Sequence, residues 1–228
     1  TVAIGNGTAS SNQKEFGIAI GYDAGKSTQS TKAIAIGANA GLTTQGENSV
    51  AIGFESGKSN QKDFSIAVGP YAGYLDQARA SVAVGPNAGK ENQGVSAVAV
   101  GDQAAQFNQK ENAVAIGVNA GNNTQGSHTV AVGNGAGKTN QNIFGIAIGY
   151  DAGQNTQSNN AVAIGVNAGH TTQAQYSVAI GNESGKFEQK DYSVAIGPFA
   201  GTLSQARASV AVGSYAGQNS QGANSVAV

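Results

Sequence analysis

The sequence predicts an all-β chain, a parallel β-solenoid wound in sixteen-residue coils, and three observations predict it. One phrase, read as Ser49-Val50-Ala51-Ile52-Gly53 in its fourth copy, returns every sixteen residues from Thr1 to Ser225 without insertion or deletion. Within it two β-branched positions flank an alanine, the period-two signature of a short strand. A glycine ends every complete copy of the phrase, from Gly5 to Gly213, and that glycine load excludes a helix. An unbroken period of this kind marks stacked structural units, each contacting its neighbours in sequence. We expect a single repeat domain over residues 1–228, with fourteen complete coils and a partial fifteenth from Ser225. The chain opens and closes on the phrase itself, which reads as a segment of a longer protein.

Numbering each coil from one to sixteen turns the sequence into columns. Columns two and four hold only Val or Ile, as at Val50 and Ile52, and column three is Ala in every copy, as at Ala51. Column five is Gly (Gly5, Gly53), and column nine is Gly in all copies but two, where Ala9 and Ala105 stand. Column eight between them is small, as at Thr8, Ala24, Ala40 and Ser56. Gly53 and Gly57, four apart around such a residue, describe a tight corner where the backbone passes close to itself. A second extended stretch is expected near columns eleven to fifteen.

Column thirteen is Gln in all fourteen complete coils, Gln13 through Gln221. A glutamine that only faced solvent would have no reason to be uniform. Stacked in register, the amide of Gln61 and its counterparts is expected to bond to the copies above and below or to the turn backbone. Columns six, seven, ten, eleven, fourteen and fifteen vary and read as surface. Column sixteen is aromatic in five copies (Phe16, Phe64, Phe144, Tyr176, Tyr192), which makes it at most a half-covered rim.

Two aliphatics per coil give a thin core, each worth about 1.5–3 kcal/mol when fully buried. Ordering a residue costs about 1 kcal/mol or more. The opposite face of the strand accepts nothing longer than a methyl. The sequence therefore predicts that Val50 and Ile52 fill the coil, while the Ala51 face lies against another subunit; the alternative is a second layer of the same chain over that face, which sixteen residues hardly provide. On the first reading Ala51→Leu blocks association more than it harms the isolated fold.

Composition excludes several functions. Twelve basic and thirteen acidic side chains leave a net charge of -1, no excess that would recruit nucleic acid or an anionic membrane. Without Cys there is neither a disulfide framework nor thiolate chemistry. Gly21-Tyr22-Asp23-Ala24-Gly25-Lys26-Ser27 imitates a phosphate loop, but it is one residue short between its glycines and follows no strand-to-helix pattern. His128 and His170 fall in columns sixteen and ten, without the companions a metal site needs. The Gln-Lys-acid runs at 13–15, 61–63, 109–111 and 189–191 pair opposite charges on exposed corners. No Ser, His and Asp share a coil in a nucleophile's arrangement. The expectation is no enzyme, no cofactor and no metal.

The phrase Ser-Val-Ala-Ile-Gly, preceded by Asn at Asn48 and, as Ser-Val-Ala-Val, at Asn224, resembles the YadA-like head repeat of the trimeric autotransporter adhesins. Similar repeats occur in viral and phage tail fibres. The resemblance implies a homotrimer of left-handed parallel β-rolls, extracellular, on a cell surface or a virion fibre. The repeat here is longer than the family's usual one, with the column-nine Gly and the column-thirteen Gln as additions.

A second period overlies the first. Gly17-Ile-Ala-Ile-Gly-Tyr-Asp-Ala-Gly25 recurs verbatim at 145–153, and the segment 77–85 recurs at 205–213, each 128 residues or eight coils later. A duplicated block of coils suits a length-determining fibre. The sequence thus reads as a non-enzymatic structural or adhesive segment whose surface columns contact a host glycan or matrix protein. The candidate contacts are the aromatics of columns six and seven, Tyr22, Phe54, Tyr71, Tyr150, Phe199 and Tyr215. The alternative is an ice-binding or ice-nucleating solenoid, suggested by Ser27-Thr28-Gln29. That function needs a uniform Thr column, and columns eleven and twelve are mixed.

Overall fold

The computed structural model describes residues 1–228, all in short parallel strands and turns with no helix. The chain forms two compact units, Thr1–Ala113 and Val114–Val228. In the first, the repeat phrase supplies the strands Val2–Ile4, Ile18–Ile20, Ile34–Ile36, Val50–Ile52, Ile66–Val68, Val82–Val84 and Val98–Val100. Each pairs with the next in parallel at a register of one coil, so that Ala51 lies beside Ala67 and Ile52 beside Val68. Short return strands stack on the other side of the coil, among them Thr28–Gln29, Thr44–Gln45, Leu75–Gln77 and Glu91–Gln93. The second unit repeats this plan from Val114–Ile116 to Val226–Ala227, with return strands from Asn123–Gln125 to Ser220–Gln221. The parallel β-solenoid of sixteen-residue coils is therefore observed in each unit.

Two corners close every coil, and both need left-handed backbone. At the first, Gly53 has φ 130, column seven is left-handed (Asn39 at φ 56, Tyr71 at φ 57), and Gly57 has φ 51. A Cβ on Gly53 would stand 2.8 Å from the carbonyl carbon and oxygen of Gly69 in the next coil. No side chain fits there, which is why column five never varies. At the second corner column sixteen is left-handed, as at Asn48 (φ 54) and Phe64 (φ 59). The serine that follows pins this turn: Ser49 Oγ donates to the Gly46 carbonyl at 2.7 Å.

The coil interior reverses the sequence-based expectation. Ala51 and the column-three alanines of every coil from Ala19 to Ala211 are fully buried, and every buried hydrophobic residue in the chain is an alanine. Val50 and Ile52 point outward instead, with Ile52 still 36% exposed. No second subunit is needed to cover the alanine face, because the chain's own return strand covers it. The corners take so few residues that the two strands lie too close for a branched side chain between them. A Cβ on Gly57 would already sit 3.1 Å from Ala51 Cβ and 2.7 Å from Gln61 Oε1.

What fills the remaining space is the glutamine column. Gln61 is fully buried, and its Nε2 donates across the coil to the Val50 carbonyl at 2.8 Å. It also reaches the Ser65 carbonyl at 3.4 Å. Where the rungs connect, each amide donates to the next glutamine's oxygen, as in Gln141 to Gln157 at 3.0 Å and Gln157 to Gln173 at 3.2 Å. The expected amide ladder exists, placed inside the coil rather than on its surface.

Candidate interaction surfaces

Two surfaces follow from this construction. The first, present in each unit by itself, is the outer face of its strand sheet, a stripe of Val and Ile two wide in every coil. Ile66, Ile116, Ile148, Ile196 and Val212 stay among the exposed large hydrophobics although they lie mid-sheet. Exposed apolar residues scattered singly need no explanation, but a contiguous stripe marks a contact surface.

The second surface is the corner formed by columns six to ten, where the six candidate aromatics lie. The structure divides them. Phe54 and Tyr71 meet edge to face at 5.3 Å, and Phe199 stacks on Tyr215 at 5.0 Å with the rings 10° apart. Tyr22 and Tyr150 stand alone, more than half exposed. Both pairs join residues of successive coils, because stacking in register brings columns six and seven of one coil over those of the next.

The sequence reading missed Tyr74. From column ten it packs against Tyr71 at 5.9 Å, with the Lys58 ammonium 5.0 Å from its ring centre and that of Lys90 at 6.0 Å. Tyr74 lies within hydrogen-bond reach of Lys58 Nζ at 3.2 Å, and Glu55 pairs with the same ammonium at 3.2 Å. The Tyr74 bond, with Glu55 beside it, raises the Lys58 pKa against the opposing cost of burial. The signal was available: residues sixteen apart in column ten, Lys58, Tyr74 and Lys90, stack directly.

Column seven carries a further cost. Asn39, Asn87, Asn119 and Asn167 occupy it comfortably, since asparagine tolerates left-handed backbone better than other non-glycine residues. Tyr71, Phe199 and Tyr215 adopt the same conformation, at φ 57, 58 and 62, where a bulky side chain is unfavourable. Column sixteen repeats the pattern, with Tyr176 stacked on Tyr192 at 5.1 Å and the Arg207 guanidinium 5.7 Å from the Tyr192 ring centre.

Neither corner brings together groups of catalytic type, and no cluster of three or more His, Cys, Asp or Glu could hold a metal ion. His128 packs its ring on Phe144 at 5.3 Å, and His170 lies in a different coil. The return face is not a flat Thr array either. Column twelve is left-handed at Asn60, Asp76, Asn92, Asn108 and Asn140, and extended in strands such as Thr28–Gln29 and Thr156–Gln157.

Comparison with known proteins agrees with this geometry. No curated protein matches the chain. Two segments, residues 29–56 and 157–184, match the YadA head domain repeat. Their starts lie eight coils apart, the offset of the duplicated block, and one falls in each unit. One segment in each half of the chain is therefore similar to the YadA head domain repeat, and both lie within an array of sixteen-residue coils.

Proposed function

We propose that the chain is a non-enzymatic structural or adhesive segment, displayed outside the cell, that assembles as a homotrimer through its Val/Ile faces. One observation carries this reading. Every coil points its Val/Ile pair away from its own core, and Ile52, Ile66, Ile116, Ile148, Ile196 and Val212 stay 36–41% exposed in the isolated chain. Covering that remainder contributes roughly 0.5–1 kcal/mol per side chain, a fraction of the value of full burial. Repeated along the stripe, this is a strong drive to associate. Light scattering tests it directly: the expected mass is three times the 22.6 kDa of one chain. A monomer at micromolar concentration sinks the assembly.

Adhesion, on this reading, uses the corner aromatics, and the unfavourable backbone of Tyr71, Phe199 and Tyr215 supports a selected role for those rings. A host glycan or an extracellular matrix protein is the proposed ligand class. Asparagine is the test residue, because neighbouring coils use it at the same position. Tyr71→Asn with Phe199→Asn should fold normally and lose binding in a glycan and matrix-protein screen. Unchanged binding retires the corner as the contact site. Residues 1–228 are taken as one repeat domain, for which a single calorimetric unfolding transition is expected.

A further inference from the structure

The unit Val114–Val228 holds a groove on its return face, about 570 Å³ in volume, running across columns eleven and twelve of four successive coils. It is lined by Phe187 and Leu203, which are 39% and 44% exposed and lie one coil apart in the same column. Thr172, Ser204, Ser220 and Glu188 also line it.

The duplicated block shows how the groove arises. Eight coils earlier, the positions of Phe187 and Glu188 hold Ser59 and Asn60. There Ser59 bridges Leu75 in parallel, and Asn60 Nδ2 donates to Asp76 Oδ1 at 2.9 Å. At Phe187 and Glu188 that side-chain pair is gone and only Gln189 bridges its neighbours Gln173 and Gln205, while the backbone bond stays: the Phe187 amide donates to the Thr202 carbonyl at 3.0 Å, as the Ser59 amide does to that of Tyr74 at 3.1 Å. Two larger side chains thus stand on the same backbone bonding at this one place.

From this groove we infer a binding site for a short neutral oligosaccharide. An exposed ring beside an aliphatic side chain suits the apolar C–H face of a pyranose, and hydroxyls with one carboxylate suit its hydroxyl groups. The nearby charges cancel, for Lys190 pairs with Glu188 at 3.5 Å and Lys186 with Glu183 at 3.2 Å. Coils rise by about 4.8 Å, a step comparable to one pyranose unit, so successive sugars meet successive coils. An extended peptide fits less well, because it binds a sheet through free backbone groups. Here the amides of Phe187, Gln189, Leu203, Ser204 and Gln205 are all bonded to neighbouring coils.

This inference rests on the adhesive reading, but it requires neither the trimer nor the corner aromatics. Isothermal titration of the whole chain with cellohexaose, maltohexaose and chitohexaose tests it, with a heparin hexasaccharide as the charged control. At least one neutral hexasaccharide should bind. The double variant Phe187→Ser with Glu188→Asn installs the residues of the earlier coil, so it should fold with an unchanged melting temperature. It should also weaken that binding about tenfold or more, equivalent to ~1.4 kcal/mol. Leu203→Ser should weaken it in the same direction. Binding of heparin alone, of none of the neutral sugars, or with equal strength to the double variant overturns the groove. So does binding that survives the double variant and is lost in Tyr71→Asn with Phe199→Asn, which places the site at the corner. A trimeric mass without saccharide binding rejects the groove and leaves the assembly standing.

Discussion

At the scale of single residues the coil depends on a buried amide. Gln141 donates to the Val130 and Gly145 carbonyls and to Gln157 Oε1, while its own oxygen accepts from Gln125. Gln61 makes the two carbonyl bonds, but its Oε1 is buried without a donor. Removing a partner from a buried polar group costs about 1–3 kcal/mol for each group left unsatisfied. Gln141→Leu should therefore destabilise the chain more than Gln61→Leu, read as a larger drop in the urea midpoint. Equal drops would mean that the amide-to-amide rungs contribute nothing. The glycines divide in the same way. Gly57→Ala should cost only about 1–2 kcal/mol, because Ala9 and Ala105 already occupy that column at φ 47 and 45. Gly53→Ala should cost far more and Gly53→Val should abolish folding, since the new atom meets backbone rather than a side chain that can shift. A folded Gly53→Val chain, seen by circular dichroism, would contradict the corner.

At the scale of the strand, alternation shows that there are two faces but not which one is inside. Val and Ile are the usual core residues, and the sequence-based reading placed Val50 and Ile52 there. The distance between the two strands decided otherwise. Its clues were in the columns: Ala at three, mostly Ala at eight, mostly Gly at nine and Gln at thirteen together describe a narrow interior filled by methyls and one amide. Reading those four columns as one volume, rather than as separate surfaces, recovers the true orientation. The corner aromatics were legible in part, since Phe54 and Tyr71 differ from their column neighbours. Tyr74 was legible only through the column-ten spacing of Lys58, Tyr74 and Lys90; its packing on Tyr71 needs columns seven and ten to meet at one corner. The inverted faces also reverse a prediction about substitutions. Ala51→Leu overfills the interior and should unfold the coil, a penalty of about 1–3 kcal/mol or more. Ile52→Ser lies on the outer face and should leave the fold nearly intact while weakening association. Thermal melts and sedimentation of the two variants separate these effects. An Ala51→Leu chain that melts normally but remains monomeric would restore the discarded orientation.

For the whole molecule the period itself is the structural constraint. Every rung joins residues sixteen apart: Gln141 over Gln157, Ala147 beside Ala163, Gly149 against Gly165. The interior therefore tolerates a change in the number of coils and not a change in phase. Deleting residues 145–160 removes one complete coil and brings Val162 into the place of Ile146, next to Val130, so every column keeps its partner type. Each coil touches only its neighbours, so the loss is one repeat's share of stability, within a few degrees of melting temperature in an array of this length. Deleting residues 145–152 instead breaks the register at one junction, setting Gly153 and Gln157 eight positions out of step with the coil that ends at Phe144, while the coils from Ala161 onward keep their register with one another. That chain should melt lower than the one lacking a whole coil and be cut rapidly by protease in the half coil left after Phe144, which no neighbour holds in register. If both deletions melt alike, stacking in register is not what holds the coils together.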